Sequence, residues 1–127
     1  MEMEMEATAG SVLERADVLT TEELDSLPVG MIQLDREGKV LQFNQTESEL
    51  ARVAQADAVG KSFFDEVAPC TKVQAFHGRF LEGVEQRKLQ TVFDYVFRFR
   101  DGREKKVVIS MFYSATTETV WVCVERP

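Results

Sequence analysis

TVFDYVFRFRDGREKKVVISMFYS, Thr91–Ser114, decides the architecture of this chain. Phe93, Tyr95, Phe97 and Phe99 recur at every second position with Asp94, Arg98 and Arg100 between them. That is the period of a strand with one buried face. Asp101 and Gly102 supply a hairpin turn, and Val107, Ile109, Met111 and Tyr113 resume the alternation on the return. Shortly after, Thr119–Glu125 is apolar at successive positions in VWVCV, which predicts a strand covered on both faces. A three-strand antiparallel meander therefore ends the chain.

Upstream, GMIQLDREGKVLQFN, Gly30–Asn44, predicts a hairpin of two short strands, Gly30–Leu34 and Lys39–Phe43, with Gly38 free to take positive φ between them. Asn44 is placed to cap the helix that follows, and Glu47 completes a capping-box pattern. Ser62 and Asp65 repeat that pattern at the head of SFFDEVA, a helix that must stop near Ala68 because Pro69 disfavours helical geometry in the residue before it. Phe76, Phe80 and Val84, at i, i+4 and i+8, predict a longer helix weakened at Gly78 and Gly83. Toward the amino terminus, Leu13, Leu24 and Leu27 suggest short helices, with Thr20 and Glu23 as a capping box and Pro28 closing the segment. Met1–Gly10 (MEMEMEATAG) reads as a frayed leader. The expected fold class is α+β, with a five-stranded antiparallel sheet carrying helices on one face. Residues 1–28 form a leader and an amino-terminal helical cap on the other face, and residues 29–127 form the core domain.

The 127 residues suit one domain, and 44% hydrophobic with 29% charged residues is the balance of a globular protein. A net charge of −7 argues against nucleic acid as a partner, since readers of a phosphate backbone present a basic face. No apolar run reaches membrane-spanning length, and the acidic start is unlike a secretory signal. A cytoplasmic, monomeric protein is expected. Cys70 and Cys123 match neither a metal-knuckle nor a CxxC spacing, so both are expected to be free thiols.

The candidate chemistry is sparse. Cys70, in EVAPCTKV, is in the first place a small buried hydrophobe. Fixed after Pro69 at a helix end, it is equally a suitable carrier thiol, with nearby backbone amides able to lower its pKa. Glu47 is either a capping residue or a carboxyl turned into the core and kept protonated by burial. His77, the single histidine, is a conceivable partner for a thiolate, but no third group accompanies it. Cys123 alternates with Trp121 and reads as core, and Arg98, Arg100, Arg103, Lys105 and Lys106 around the hairpin turn read as solvation. The aromatic series from Phe93 to Phe99 is core that would also serve as the wall of a pocket for a flat conjugated ligand. No phosphate loop, metal-ligand cluster or catalytic carboxylate pair is present in the sequence.

DSLPVGMIQLD, LQFN, VGKSFFDEVAPCT, GRFLEGV and FDYVF together resemble the photoactive yellow proteins, blue-light receptors with the PAS fold, from about Asp25 to the end of the chain. The resemblance implies that Cys70 carries p-coumaric acid (4-hydroxycinnamic acid) as a thioester and that Glu47 hydrogen-bonds its phenolate and later gives up a proton. It further implies that Phe63, Val67, Ala68, Thr71 and Phe97 line the pocket, and that the amino-terminal region loosens to signal to an unidentified downstream protein. No enzymatic activity is implied.

The chain departs from the family pattern around the ring. Phe43 stands where the family has a second phenolate donor, a tyrosine; Ala51 replaces the threonine supporting that tyrosine; and Val53 replaces a lid arginine. Arg52 lies one place from that lid position, and the loop methionine has no counterpart near Asp101. A hydrogen bond to a charged group contributes roughly 1.5 to 3 kcal/mol, so losing one donor should raise the chromophore's pKa by about one to two units. A PAS-type ligand or protein interaction module without light function is the alternative reading, and a thiol enzyme using Cys70 and His77 is a more distant one.

Overall fold

In the computed structural model, which describes residues 9–99 and 101–126, the period-two segments form one five-stranded sheet of order β2-β1-β5-β4-β3. β1 is Gly30–Leu34, β2 Val40–Phe43, β3 Gln90–Arg98, β4 Glu104–Ser114 and β5 Thr119–Glu125. Every neighbouring pair is antiparallel. Gly38 takes φ +87° in the β1–β2 connection and Gly102 takes φ +92° in the β3–β4 turn, conformations that cost other residues steric strain.

β5 explains why its sequence is apolar on both faces. Val120, Val122 and Val124 pack into the larger core with Phe63, Phe76 and Phe80. Trp121 and Cys123 face the opposite way into a smaller core made with Val12, Leu13, Ala16 and Leu24. The amino-terminal cap therefore covers the second face of the sheet, as expected. It consists of α1 (Ala9–Arg15), a 3-10 turn (Ala16–Val18) and α2 (Thr21–Asp25). Thr20 and Glu23 form the capping box reciprocally. α1 begins at Ala9, so the expected leader through Gly10 is too long; packing of Val12, Leu13 and Ala16 on the sheet stabilises a helix that propensity alone would not. Met1–Thr8, Arg100 and Pro127 lie outside the described residues.

The other face carries α3 (Gln45–Ala51), α4 (Gln55–Ala58), α5 (Arg79–Gln86) and three irregular turns. Phe63–Val67 winds as a π turn, Pro69–Thr71 as a 3-10 turn and Gln74–Gly78 as a second π turn. The helix expected from Phe76 to Val84 is thus divided at Gly78, where the winding changes from π to α. Ser62 does cap the first π turn, accepting from Asp65 N–H at 3.3 Å. Reciprocally, Ser62 N–H donates to Glu66 Oε2 at 3.0 Å and not to Asp65, because a π turn shifts the reach by one residue. No helix among the described residues is long and apolar enough to cross a membrane.

Candidate functional site

The site is built outward from Asn44, the last residue before α3. Its Oδ1 accepts from Glu47 N–H at 3.0 Å, the N-cap bond the sequence predicts. The second half of the capping box is absent: Asn44 N–H donates to Met31 O at 3.0 Å, so the Glu47 carboxyl is not needed there. Glu47 instead turns into the core, with 3% of its surface exposed, and its Oε1 has no hydrogen-bond partner among the described residues. Burial pushes its pKa from 4.5 up to about 8, so the carboxyl keeps its proton at neutral pH. Gly30 makes this placement possible, because a Cβ there would lie 2.1 Å from Glu47 Oε1.

Glu47 and Cys70 line one cavity of about 600 Å³, the size of a small-molecule site. Phe43, Ala51, Val53, Phe63, Val67, Ala68 and Phe97 line the same space and supply its apolar surface. Charged residues, among them Arg52, Asp57, Lys61, Asp65, Arg98, Asp101 and Arg103, complete its lining. Of the predicted pocket residues, Thr71 alone is not on the wall; it is fully buried and its hydroxyl donates to Ala68 O at 2.6 Å, closing the turn that presents Cys70.

Cys70 is half-buried in the Pro69–Thr71 turn. Tyr95 fixes that turn from β3, its hydroxyl donating to Cys70 O at 2.5 Å. The Tyr95 ring in turn packs edge-on against Phe76 and Phe97. The aromatic face of β3 thus both walls the cavity and holds the thiol's backbone. His77 does not serve the thiol: its ring packs 4.3 Å from Phe64, the charges acting on it are Lys72 and Asp65, and burial lowers its pKa. No hydrogen bond joins it to Cys70 among the described residues. Cys123 is fully buried on the far side of the sheet, where burial pushes its thiol up to about 12.

Arg52 occupies the αL cap of α3 at φ 57° and pairs across to Asp101 at 3.8 Å, linking α3 to the β3–β4 turn beside the cavity. Asp101 also pairs with Arg103 at 2.7 Å, and both neighbours hold its carboxyl below the usual range, Arg103 foremost. Sequence reasoning missed the structural reach of Asn44. Its Nδ2 donates to Leu24 O at 2.7 Å and Val29 O at 3.0 Å, while Oδ1 also accepts from Met31 N–H at 2.9 Å. One side chain therefore joins the cap, β1 and the turn carrying Glu47. Only the local member of that set, the N-cap bond, has a signal in the sequence.

Residues 21–126 match the family model described as the PAS fold. The chain is 41% identical over 108 residues to a photoactive yellow protein of Halochromatium salexigens, covering 85% of this chain and 86% of that protein. To the photoactive yellow protein of Rhodothalassium salexigens it is 39% identical over 104 residues, 82% of each chain. Among solved structures, the photoactive yellow protein domain of the sensor histidine kinase Ppr from Rhodospirillum centenum superposes with a TM-score of 0.83 at 39% identity. That match covers 89% of this chain and 98% of the domain.

Proposed function

Because this chain belongs to the photoactive yellow protein family, built on the PAS fold, we propose that it is a blue-light photoreceptor carrying p-coumaric acid as a thioester on Cys70. The observation that supports this reading is the pairing, in the lining of one cavity, of the thiol with a buried carboxyl whose Oε1 has no partner among the described residues. A buried orphan of that kind costs free energy unless a ligand atom satisfies it. A phenolate oxygen is a suitable acceptor for the proton Glu47 retains at neutral pH. The bound group supplies absorption of blue light and a double bond that isomerises.

The chain's own residues then have distinct tasks. Cys70 supplies the sulfur for the acyl bond, and Tyr95 holds its backbone. Phe63, Val67, Ala68 and Phe97 exclude water from a planar group, which keeps the Glu47 proton from exchanging freely. Glu47 would donate a hydrogen bond to the phenolate oxygen of the bound group in the dark and would pass its proton to that same oxygen after illumination. The cap on the opposite face is the segment whose rearrangement would be read by a downstream signalling protein.

Phe43 favours a second reading, a PAS-type ligand or protein interaction module without light function, since it brings no hydroxyl to the cavity that Glu47 lines. Reconstitution separates the two. Apoprotein mixed with activated p-coumaric acid should gain one acyl mass on Cys70, colour, bleach on illumination and recover in the dark. An adduct that never bleaches reversibly would support the second reading, and no adduct at all would remove both the chromophore and the thioester.

Phe43→Tyr is expected to lower the chromophore's pKa by about one to two units, because the restored phenol contributes a hydrogen bond to a charged group of roughly 1.5 to 3 kcal/mol. A pH titration of the absorption spectrum reads this directly. Parent protein showing a single phenolate band down to strongly acid pH would mean that the missing donor has already been replaced.

A further inference from the structure

We propose that Asp17 is the latch holding α1 and the 3-10 turn after it on the sheet, and that a hydrogen-bonded row running from β2 sets how firmly it holds. This goes beyond the light-receptor reading and does not depend on it. The cap is anchored in two separate halves. α2 and the segment after it are tied to the core by Asn44 on Leu24 O, by Gln45 N–H and Gln55 Nε2 on Asp25 Oδ1, and by Thr46 on Leu27 O. Among the described residues, the side-chain hydrogen bonds from α1 and its 3-10 turn to the sheet all converge on Asp17. Trp121 Nε1 donates to its Oδ1 at 2.8 Å, Thr117 Oγ1 donates to the same oxygen at 3.1 Å, and Ser114 Oγ donates to Oδ2. A carboxylate receiving several donors makes charge-assisted bonds, stronger than those between neutral groups.

The donors continue away from Asp17 in one direction. Thr117 spends its proton on Asp17, so in its 2.7 Å contact with Thr119 the Thr119 hydroxyl is the donor. Thr119 in turn accepts from Gln33 Nε2 at 3.0 Å, and Gln33 Oε1 accepts from Gln42 Nε2 at 3.1 Å. The row crosses from β2 through β1 to the β5 end of the turn, with Gln33 and Thr119 buried. Every proton in it points toward the Asp17 charge, the arrangement in which successive hydrogen bonds polarise one another. Its origin, Gln42, is the chain neighbour of Phe43 on the cavity wall. The row is thus a contiguous physical link between the strand walling the cavity and the clasp on the cap.

Cys123 provides the readout, since it is fully buried beneath Val12, Leu13 and Ala16. In the full-length Cys70→Ser protein it is the one thiol, so labelling by a maleimide reports lifting of the cap whether or not Cys70 is ever acylated. Asp17→Asn should speed labelling by about 10- to 100-fold, with little dependence on urea because only a local segment opens. Thr119→Val should give a smaller gain, about threefold, and the double variant should label no faster than Asp17→Asn alone, because the row acts through that carboxylate. Glu22→Gln, on the exposed first turn of α2, should leave the rate unchanged. Labelling of Asp17→Asn at the parent rate, or a gain with the steep urea dependence of global unfolding, overturns the latch. Independent, additive effects of Asp17→Asn and Thr119→Val overturn the row.

Discussion

Glu47→Gln should abolish a loss of stability of about 5 kcal/mol that the apoprotein suffers as the pH rises from 4.5 through about 8. Burial raises the folded-state pKa of Glu47 above its ordinary value, so the folded protein binds a proton that the unfolded chain releases. The stabilising contribution is therefore complete below about pH 4.5 and disappears as the pH climbs through about 8. At about 1.4 kcal/mol per pH unit, that window gives the stated size. Gln keeps the shape and cannot ionise, so the part of the pH dependence due to Glu47 should be missing from its curve across the same range. Urea unfolding of both proteins at about pH 5 and pH 9 measures the difference. Parallel curves would mean that the carboxyl ionises in place without penalty, and the proton-donor role would go with them. In the chromophore-bearing protein the same substitution should shift the absorption band and block internal proton transfer while leaving the fold intact.

Asn44→Ala is expected to destabilise the protein by about 3 to 5 kcal/mol, which is large for a single surface-sized side chain. The substitution strips partners from Met31 N–H, Glu47 N–H, Leu24 O and Val29 O, all joined now to one buried amide. Each buried group left unsatisfied costs roughly 1 to 3 kcal/mol, and partial hydration as the site relaxes brings the total down. Asn44→Asp divides the effect. The carboxylate retains an acceptor for the Glu47 and Met31 amides but sets oxygen against the Leu24 and Val29 carbonyls, so the cap half fails at neutral pH and recovers in acid. Hydrogen exchange of the segment from Leu24 to Val29, beside global unfolding, distinguishes this from general damage. A cost below about 1 kcal/mol for Asn44→Ala would show that water replaces the amide freely.

The sheet was legible in the sequence because period two is unambiguous when aromatic residues mark it. Phe93 to Phe99 and Val107 to Tyr113 alternate without a break, and VWVCV announced that something must cover its second face. Caps were legible where they are local, as at Thr20 and Ser62. Of the two readings left open for Glu47, the structure adopts the carboxyl turned into the core and not the capping box, for an instructive reason. Spacing alone cannot tell a carboxyl that returns to the helix start from one drawn inward, and the room for the second comes from Gly30, which is distant in the chain. Likewise the π winding at Phe63 and Gln74 has no local signature, and the reach of Asn44, Asp17 and Tyr95 depends on strand register rather than on neighbours in the chain. The thiol itself was recognisable only through the block of residues around it.

The place of β1 between β2 and β5 also imposes an order of completion on the newborn chain. β1 can pair with β2 once Phe43 has been made, but its other edge must wait for Val120–Val124, in the last strand of the sheet to be made. Such distant pairings close late because their loop entropy must be offset first. The same strand brings Val122 and Val124 to the cavity side and Trp121 and Cys123 to the floor on which the cap rests. A nascent fragment ending short of Thr119 therefore lacks both a closed core on one face of the sheet and a surface for the cap on the other, and the two cores come into being together.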